Sequence, residues 1–211
     1  MLQAEFASLA TIADDQLGQA LRQGKRRVAL LTGLADLAGV WSLEQVTGTL
    51  TEFADLAVDL AMKAMIRAEI RRGKLPGMGE DDEATAAGMV ALAMGKMGAG
   101  ELNYSSDIDL ICLFDETRFS VDVYPQARSA FVRATRRMAA LLNDRTAEGY
   151  VFRTDLRLRP DPAVTPVCMA MAGAESYYES LGRTWERAAY IKARPSAGDL
   201  VAGQKLSLIP L

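Results

Sequence analysis

The sequence contains no histidine, and only two of its 211 residues are cysteines. Without histidine the chain has no Ser–His or Cys–His nucleophile pair and no zinc site with an imidazole ligand. Any chemistry must therefore use carboxylates, basic side chains, hydroxyls, backbone amides and a hard metal ion. Cys112 and Cys168 lie far apart among apolar neighbours, which predicts buried thiols in a reducing compartment and no disulfide.

Long apolar runs and an excess of positive charge are also missing. The apolar runs are too short to span a bilayer, and the N-terminus lacks the charged leader, apolar core and cleavage site of a signal peptide. The formal net charge of -3 argues against broad electrostatic binding to nucleic acid, which requires a basic face. We therefore expect a cytoplasmic globular protein that binds neither a membrane nor nucleic acid.

The first third of the chain has the apolar periodicity of helices. Two stretches, 25–39 and 50–74, repeat apolar residues every three or four positions, and Ser42 predicts a helix start between them. The first apolar face consists of Val28, Leu31, Leu34, and Leu37 or Ala38. The second consists of Phe53, Leu56 or Ala57, Leu60, Ala64, and Met65 or Ala68. We expect both faces to pack in a core.

The periodicity changes after residues 74–88, where proline, glycines and the acidic run 80–83 are typical of a solvated loop. Three strands are predicted beyond it, at 89–96, 107–115 and 150–160, with a helix between the second and third. This order predicts an α+β fold, a mixed sheet with flanking helices. The predicted division is an N-terminal helical subdomain (1–84), a sheet domain (85–173) and the start of a C-terminal helical region (174–211).

Two acids open the second predicted strand. Asp107 and Asp109 would emerge on the same face, about 6.6–7 Å apart along the chain. Two carboxylates that close repel each other unless a cation neutralises them. Mg²⁺ is a suitable cation, because it takes oxygen ligands and typically uses one or two carboxylates together with substrate phosphates.

The third predicted strand carries a matching pattern in "TDLRLRP". Asp155, Arg157 and Arg159 would share one face. If this strand lies beside the second, Asp155 becomes a third carboxylate for a two-metal site of phosphoryl or nucleotidyl transfer, with the arginines as phosphate ligands. The alternative is that Asp155 and the arginines form only a surface ion pair, worth under about 1 kcal/mol.

A glycine-rich turn precedes the acids in "MGKMGAGELNYSSD". Gly98 and Gly100 allow a tight turn and a close approach of the backbone to a ligand, and amides at such a turn can bind phosphate. The turn alone is weak evidence, because many connections need glycine for geometry only. The segment lacks the Lys-Ser/Thr pair of a P-loop.

These motifs together resemble a known family. The spacing from Gly98-Ala99 to Asp107-Ile108-Asp109, followed by Asp155, is similar to the signature of the DNA polymerase β-type nucleotidyltransferase superfamily. More narrowly, "MGKMGAGELNYSSDIDLICLFDE", "TDLRLRPD" and "GRTWERAAYIKARPSAGD" resemble the bifunctional glutamine synthetase adenylyltransferase/adenylyl-removing family. The residues of these motifs resemble its N-terminal, adenylyl-removing half more closely than its C-terminal half.

The resemblance implies a reaction, its cofactors and its partners. The family attaches AMP to a tyrosine of glutamine synthetase and removes it by phosphorolysis to ADP, so Mg²⁺, ATP or ADP and inorganic phosphate are the implied cofactors and substrates. Glutamine synthetase and a PII-type nitrogen signalling protein are the implied partners. Asp107, Asp109 and Asp155 would bind two Mg²⁺ ions. The implied nucleotide- or phosphate-binding residues are Gly98, Ala99, Gly100, Ser105, Ser106, Arg157, Arg159, Lys192 and Arg194.

We expect removal of AMP from the adenylylated tyrosine. The alternatives are adenylyl transfer from ATP onto the same tyrosine, and a catalytically silent module that binds a nucleotide or a partner. The final "KLSLIPL" (205–211) does not match the family, and we expect a truncated fragment. The family also favours Gly or Ser where this chain has Ala99, and a positive φ there would be costly for alanine.

Overall fold

The computed structural model describes residues 2–207, so the last four residues of "KLSLIPL" lie outside the described residues. The helices are α1 (Leu2–Leu9), α2 (Leu17–Leu37), α3 (Leu43–Arg71), α4 (Gly95–Gly98), α5 (Tyr124–Asn143), α6 (Met171–Ser180), α7 (Thr184–Tyr190) and α8 (Leu200–Ser207). The strands are β1 (Met89–Ala93), β2 (Ile108–Phe114), β3 (Thr154–Asp155), β4 (Cys168–Ala170) and β5 (Arg194–Gly198). Each helix within residues 2–207 is too short or too polar to cross a bilayer.

The five strands form one mixed sheet, as the sequence predicts. β1 pairs antiparallel with β2 on one side and with β5 on the other. β3 and β4 pair in parallel with β2, the first at its start and the second at its end. The α+β fold with a mixed sheet and flanking helices is therefore confirmed.

The prediction of a helical region after residue 173 is wrong for residues 194–198. These residues form β5, which pairs with β1 through a register shift near Ala91. Helix α7 ends at Tyr190. Lys192 lies in the turn that leads from this helix to the strand. The strand contains Pro195, which is tolerated at the edge of a sheet but not at its centre.

Helices α3 and α5 cover one face of this sheet. The predicted stripe on α3 is largely buried, with Phe53, Ala57 and Ala64 at 1% exposure or less. On α5, Phe131 and Met138 are fully buried, and Pro125 lies in the first turn, where its missing amide hydrogen costs no helical hydrogen bond. Residues of the helical segment and of the sheet segment belong to one core cluster.

The prediction for α2 is only partly right. Val28 is buried, but Leu34 is 57% and Leu37 is 89% exposed. The buried face of α2 lies earlier in the helix and includes Leu17 and Leu21. The leucine spacing continues toward the end of α2, while burial is concentrated in the part of the helix from Leu17 to Thr32.

The predicted helix start at Ser42 and the predicted burial of both thiols are confirmed. The Ser42 hydroxyl accepts a hydrogen bond from the Gln45 amide, and the Gln45 side chain accepts one from the Ser42 amide, which forms a capping box at the start of α3. Cys112 and Cys168 are free and buried, in register on β2 and β4. Burial raises the pKa of the Cys112 thiol to about 12, so this thiol stays protonated.

A buried carboxylate joins α3 to α5. Glu69 is fully buried and accepts hydrogen bonds from Arg133 through Nε (3.2 Å) and Nη2 (2.7 Å). Arg137 reaches its other oxygen at 3.2 Å, and Arg72 lies at 3.4 Å. A buried carboxylate needs such partners, because an unpaired charge away from water costs several kcal/mol.

We expect Glu69→Gln to lower the free energy of unfolding by about 3–5 kcal/mol, because the substitution leaves three guanidinium groups facing a neutral side chain at a buried position. Urea denaturation of the 211-residue chain measures the change. Glu80→Gln, at an exposed position, is the control and should change stability by less than about 0.5 kcal/mol. Equal stability of the two variants would contradict a structural role for the buried carboxylate.

Candidate functional site

The sheet brings two of the three predicted acids side by side. β2 and β3 are parallel, and Asp109 is in register with Asp155. The strand that contains Asp155 therefore lies beside the strand that follows Asp107 and contains Asp109, which was the condition for a third carboxylate at the site. Asp107 lies one residue before β2 begins at Ile108 and is exposed. Both strands are anchored by buried residues, since Ile108 is fully buried and its amide donates to the Arg153 carbonyl at 2.9 Å.

The electrostatics of the three acids are coupled. Burial raises the pKa of Asp109, and the negative charges of Asp155 and Asp107 raise it further. The pKa of Asp155 moves the other way, because it accepts hydrogen bonds from Arg157. Opposite shifts on neighbouring carboxyl groups are found at functional sites, where each environment sets one group's protonation.

Each outer acid has an arginine partner. Arg153 donates through Nε to Asp107 at 2.5 Å and through Nη2 to the Ser105 carbonyl. Arg157 donates to Asp155 through Nε at 2.9 Å and Nη2 at 2.5 Å, and its amide donates at 2.8 Å. The side-chain carboxylate of Asp109 receives no hydrogen bond from residues 2–207, and Asp109 is the half-buried acid between the two pairs.

The predicted alternation along "TDLRLRP" is wrong beyond Asp155. β3 ends at that residue, and Arg157 and Leu158 lie in a turn. Arg159 therefore does not share a strand face with Asp155. Its guanidinium donates to the carbonyls of Leu156 and Thr165, which closes the loop after the strand. The alternation in the sequence continues past Asp155, so the sequence pattern alone does not show where β3 ends.

The glycine turn lies directly against the middle acid. The Met94 amide donates to the Asp109 carbonyl at 2.9 Å, and the turn begins at the next residue. Gly95 has φ +54, and a Cβ there would lie 3.1 Å from Asp109 Oδ2. Glycine at this position therefore leaves room beside the carboxylate.

The rest of the turn serves the protein's own backbone. The amides of Gly98, Ala99 and Gly100 donate to the carbonyls of Met94, Gly95 and Met97. These three amides are therefore already engaged, in contrast to the predicted phosphate-binding role. Ala99 has φ -76, so the expected cost of a positive φ does not arise. Gly100 does have a positive φ of +76.

Gly98 is needed for a close contact between segments. A Cβ on Gly98 would lie 2.0 Å from the Lys192 carbonyl oxygen and 2.6 Å from that of Ala93. Arg194 supports this contact by donating to the Gly98 and Met97 carbonyls. The turn is thus packed against the segment that leads into β5.

The remaining predicted phosphate ligands, apart from Ser105, also have protein partners. Ser106 Oγ accepts a hydrogen bond from the Asn103 amide at 3.1 Å, within the turn before β2 and not at a helix start. Lys192 forms an ion pair with Glu101 at 3.0 Å. Arg194 pairs with Asp55 of α3. No residue of 2–207 hydrogen-bonds the side chain of Ser105.

The acids fit a magnesium ion in part. No group of three or more Asp, Glu, His or Cys side chains within residues 2–207 is arranged to hold a metal. Asp109 and Asp155 nevertheless supply the two carboxylates that Mg²⁺ uses together with substrate phosphates, and the space beside Gly95 lies at Asp109 Oδ2. Asp107 is directed toward Arg153 in this arrangement. The donor set therefore fits a two-carboxylate site.

Two residues of this region were missed from the sequence. Arg153 lines a cleft of about 380 Å³ with Asp107, Asp155 and Arg157. The alternation that selected Asp155 and Arg157 also includes Arg153 two positions earlier, so the signal was present. Asp55 carried no signal, because its contact with Arg194 joins residues 139 positions apart.

Comparisons with known proteins identify the family to which the chain is similar. A family model described as glutamate-ammonia ligase adenylyltransferase matches residues 2–207. The chain is 50% identical to a bifunctional glutamine synthetase adenylyltransferase/adenylyl-removing enzyme of Rhodopseudomonas palustris (strain TIE-1), over 96% of this chain. It is 52% identical to that of Bradyrhizobium sp. (strain BTAi1 / ATCC BAA-1182) over 93%, and 46% to that of Rhizobium meliloti (strain 1021) over 94%. The chain spans 20% of the length of each.

Gly98→Ala should lower the free energy of unfolding by about 2 kcal/mol or more, because its Cβ meets two backbone carbonyls that cannot rotate away. Thermal unfolding of the 211-residue chain is the measurement. Gly48→Ala is a matched control inside α3 with open space around it, and it should stabilise by up to about 1 kcal/mol. A Gly98→Ala variant as stable as wild type would refute the close packing of the turn.

Asp55 should make stability depend on pH. Burial raises its pKa to about 6, although Arg194 opposes the shift. The folded state therefore holds this proton more tightly than the unfolded state, and the stability it contributes is lost as pH rises from about 4 through 6. Relative to Asp55→Asn, wild type should lose at most about 3 kcal/mol between pH 4 and pH 7 in urea denaturation. Asp122→Asn, at an exposed position, is the control. A constant difference between Asp55→Asn and wild type across this range would contradict the shift.

Proposed function

The chain belongs to the glutamate-ammonia ligase adenylyltransferase family, and from this we propose that its acidic cleft is a metal-dependent nucleotidyl-transfer site. The observation that carries the proposal is the register of Asp109 with Asp155 on parallel strands, with the charge of Asp107 close enough to raise the pKa of Asp109. Carboxylates held this close without a cation repel each other. A phosphate-bearing substrate with Mg²⁺ supplies the missing charge balance.

The proposed substrate is the adenylylated tyrosine of glutamine synthetase. An oxygen of inorganic phosphate bonds to the phosphorus of the AMP group, the bond from that phosphorus to the tyrosine oxygen breaks, and ADP leaves. The tyrosine oxygen takes up a proton. Removal is preferred over transfer from ATP because the motifs around Asp107 and Tyr190 resemble the adenylyl-removing half of the family. A PII-type signalling protein is a further proposed partner, on the family resemblance alone.

Separate residues of the chain would bind the metal and the phosphate. Asp109 and Asp155 would hold the metal, and Gly95 leaves space beside Asp109 Oδ2. When bound, Mg²⁺ stabilises the attacking and leaving oxygens of an in-line displacement at phosphorus. Arg157 is 83% exposed, so its side chain is free to exchange Asp155 for a phosphate oxygen. Asp107 would complete the site on release of Arg153.

We expect Asp109→Asn to reduce phosphate-dependent ADP release from adenylylated glutamine synthetase by about two orders of magnitude or more, because the central metal-binding carboxylate is lost. ADP is quantified after incubation with Mg²⁺ and phosphate. Calorimetric titration of the chain with Mn²⁺ should lose its binding heat in the same variant. Asp122→Asn, an exposed aspartate outside the cleft, is the control and should retain both signals.

The direction of the reaction has its own outcomes. ADP release that requires phosphate supports removal of AMP. Incorporation of AMP from ATP, without ADP release, would favour the transfer reaction at the same acids. A wild-type chain that shows neither reaction and gives no Mn²⁺ binding heat would overturn the proposed metal site and favour a silent binding module.

A further inference from the structure

Phosphate recognition in the cleft needs cations that are not already committed to the protein. Among the residues predicted to bind phosphate, Arg159 binds backbone carbonyls, Lys192 pairs with Glu101, and Arg194 pairs with Asp55. The amides of the glycine turn donate to its own carbonyls. Recognition of a phosphate group near the acids would therefore need positive charge from another residue.

Lys25 of α2 differs from the other cations of its helix. Arg22 and Arg26 both lie 3.8 Å from Glu148, and Arg27 pairs with Glu5 at 3.0 Å. Lys25 forms no ion pair with a carboxylate of residues 2–207. It is half-buried, and burial together with the positive charge of Arg153 lowers its pKa to about 8. Burial and a neighbouring positive charge both disfavour the charged form of an ammonium group, and an anion bound beside it would favour that form.

Aromatic rings hold the Lys25 ammonium in place without neutralising it. Its Nζ lies 4.3 Å from the centroid of the Tyr150 ring and 4.9 Å from that of Phe152. Phe152 packs in turn against Phe53 of α3, which is 1% exposed, with centroids 5.9 Å apart. The rings attract the cation by about 0.5–2 kcal/mol, and the position of Nζ is fixed by the core behind them.

Arg153 connects the surroundings of this ammonium group with the cleft. Its guanidinium carbon lies 5.9 Å from the Tyr150 ring centroid, so both cations border the same ring. Arg153 also lines the cleft beside Asp155 and donates to Asp107. Its Nη1 has no acceptor among residues 2–207. Lys25 and Arg153 thus border one ring, and of the two only Arg153 pairs with a carboxylate of residues 2–207.

We propose that Lys25 and Arg153 form a phosphate-type oxyanion site at the Asp107 end of the cleft, filled by inorganic phosphate or by the phosphate of a nucleotide. The inference deepens the proposed function, on which it rests, by naming the residues that recognise a phosphate group next to the acids. An oxyanion there gains a charge-assisted hydrogen bond from each cation and relieves their repulsion.

The test is thermal unfolding of the 211-residue chain titrated with sodium phosphate, without divalent metal, against sodium chloride of equal ionic strength. Wild type should show a saturable rise in Tm. Lys25→Met keeps the apolar stem over the rings and removes the charge, and it should raise the apparent Kd for phosphate by about tenfold or more. Lys25→Arg restores the charge and should stay within about threefold of wild type.

Lys74→Met is the matched control, because Lys74 is exposed at the end of α3, and it should leave the phosphate Kd unchanged. A merely structural cation–π contact would lower the Tm of Lys25→Met but leave its Kd for phosphate as in wild type. That result would overturn the inference, as would a wild-type chain with no saturable response to phosphate.

A second measurement keeps the inference testable if Lys25→Met does not fold. Acetylation of the wild-type chain, followed by mass spectrometry, compares Lys25 with Lys74 in the presence of inorganic phosphate or of AMP. Protection of Lys25 alone by either anion supports the site, and the more protective anion identifies the source of the phosphate. No protection of Lys25 by either contradicts it. Loss of Mn²⁺ binding, by contrast, bears only on the proposed metal site.

Discussion

Repulsion between carboxylates on neighbouring strands is the constraint around which this site is organised. The register of β2 with β3 places Asp109 beside Asp155 in a half-buried environment, where each added negative charge raises the pKa of Asp109. The rest of the sheet fixes that register, because β2 is held between β1 on one side and β3 and β4 on the other. The acids cannot separate without breaking strand pairs, so the repulsion must be balanced by cations.

The protein supplies part of that balance itself. Arg153 and Arg157 neutralise the two outer acids, while the carboxylate of Asp109 receives no hydrogen bond from the described residues. Both arginines come from the short segment around β3, and both are more than half exposed. Exposed ion pairs contribute under about 1 kcal/mol each, so a divalent ion or a phosphate can displace them at little cost. The two arginines are therefore weakly held counter-ions of the outer acids.

β1, β2 and the presence of a strand at β3 could be predicted from the sequence, because strand alternation and buried apolar runs are local signals. The placement of β3 beside β2 was only a condition of the predicted site. The end of β3 could not, since Arg159 is turned away by carbonyls of a loop that the alternation pattern does not encode. β5 was missed for a similar reason: its five residues pair with a strand about a hundred positions earlier. The exposed leucines of α2 show the same limit, since periodicity identifies a face but not its partner.

The predicted division at residue 84 does not separate scaffold from site. Asp55, from α3, holds Arg194 against the glycine turn, and Phe53 of the same helix supports the ring under Lys25. Lys25 itself comes from α2. A net charge of -3 disfavours a broad basic surface, but it says nothing about single cations held by aromatic rings near an acidic cleft. If a phosphate group binds at Lys25, the N-terminal helices are part of the recognition site, and a sheet segment separated from them would retain the acids but lose half of the anion site.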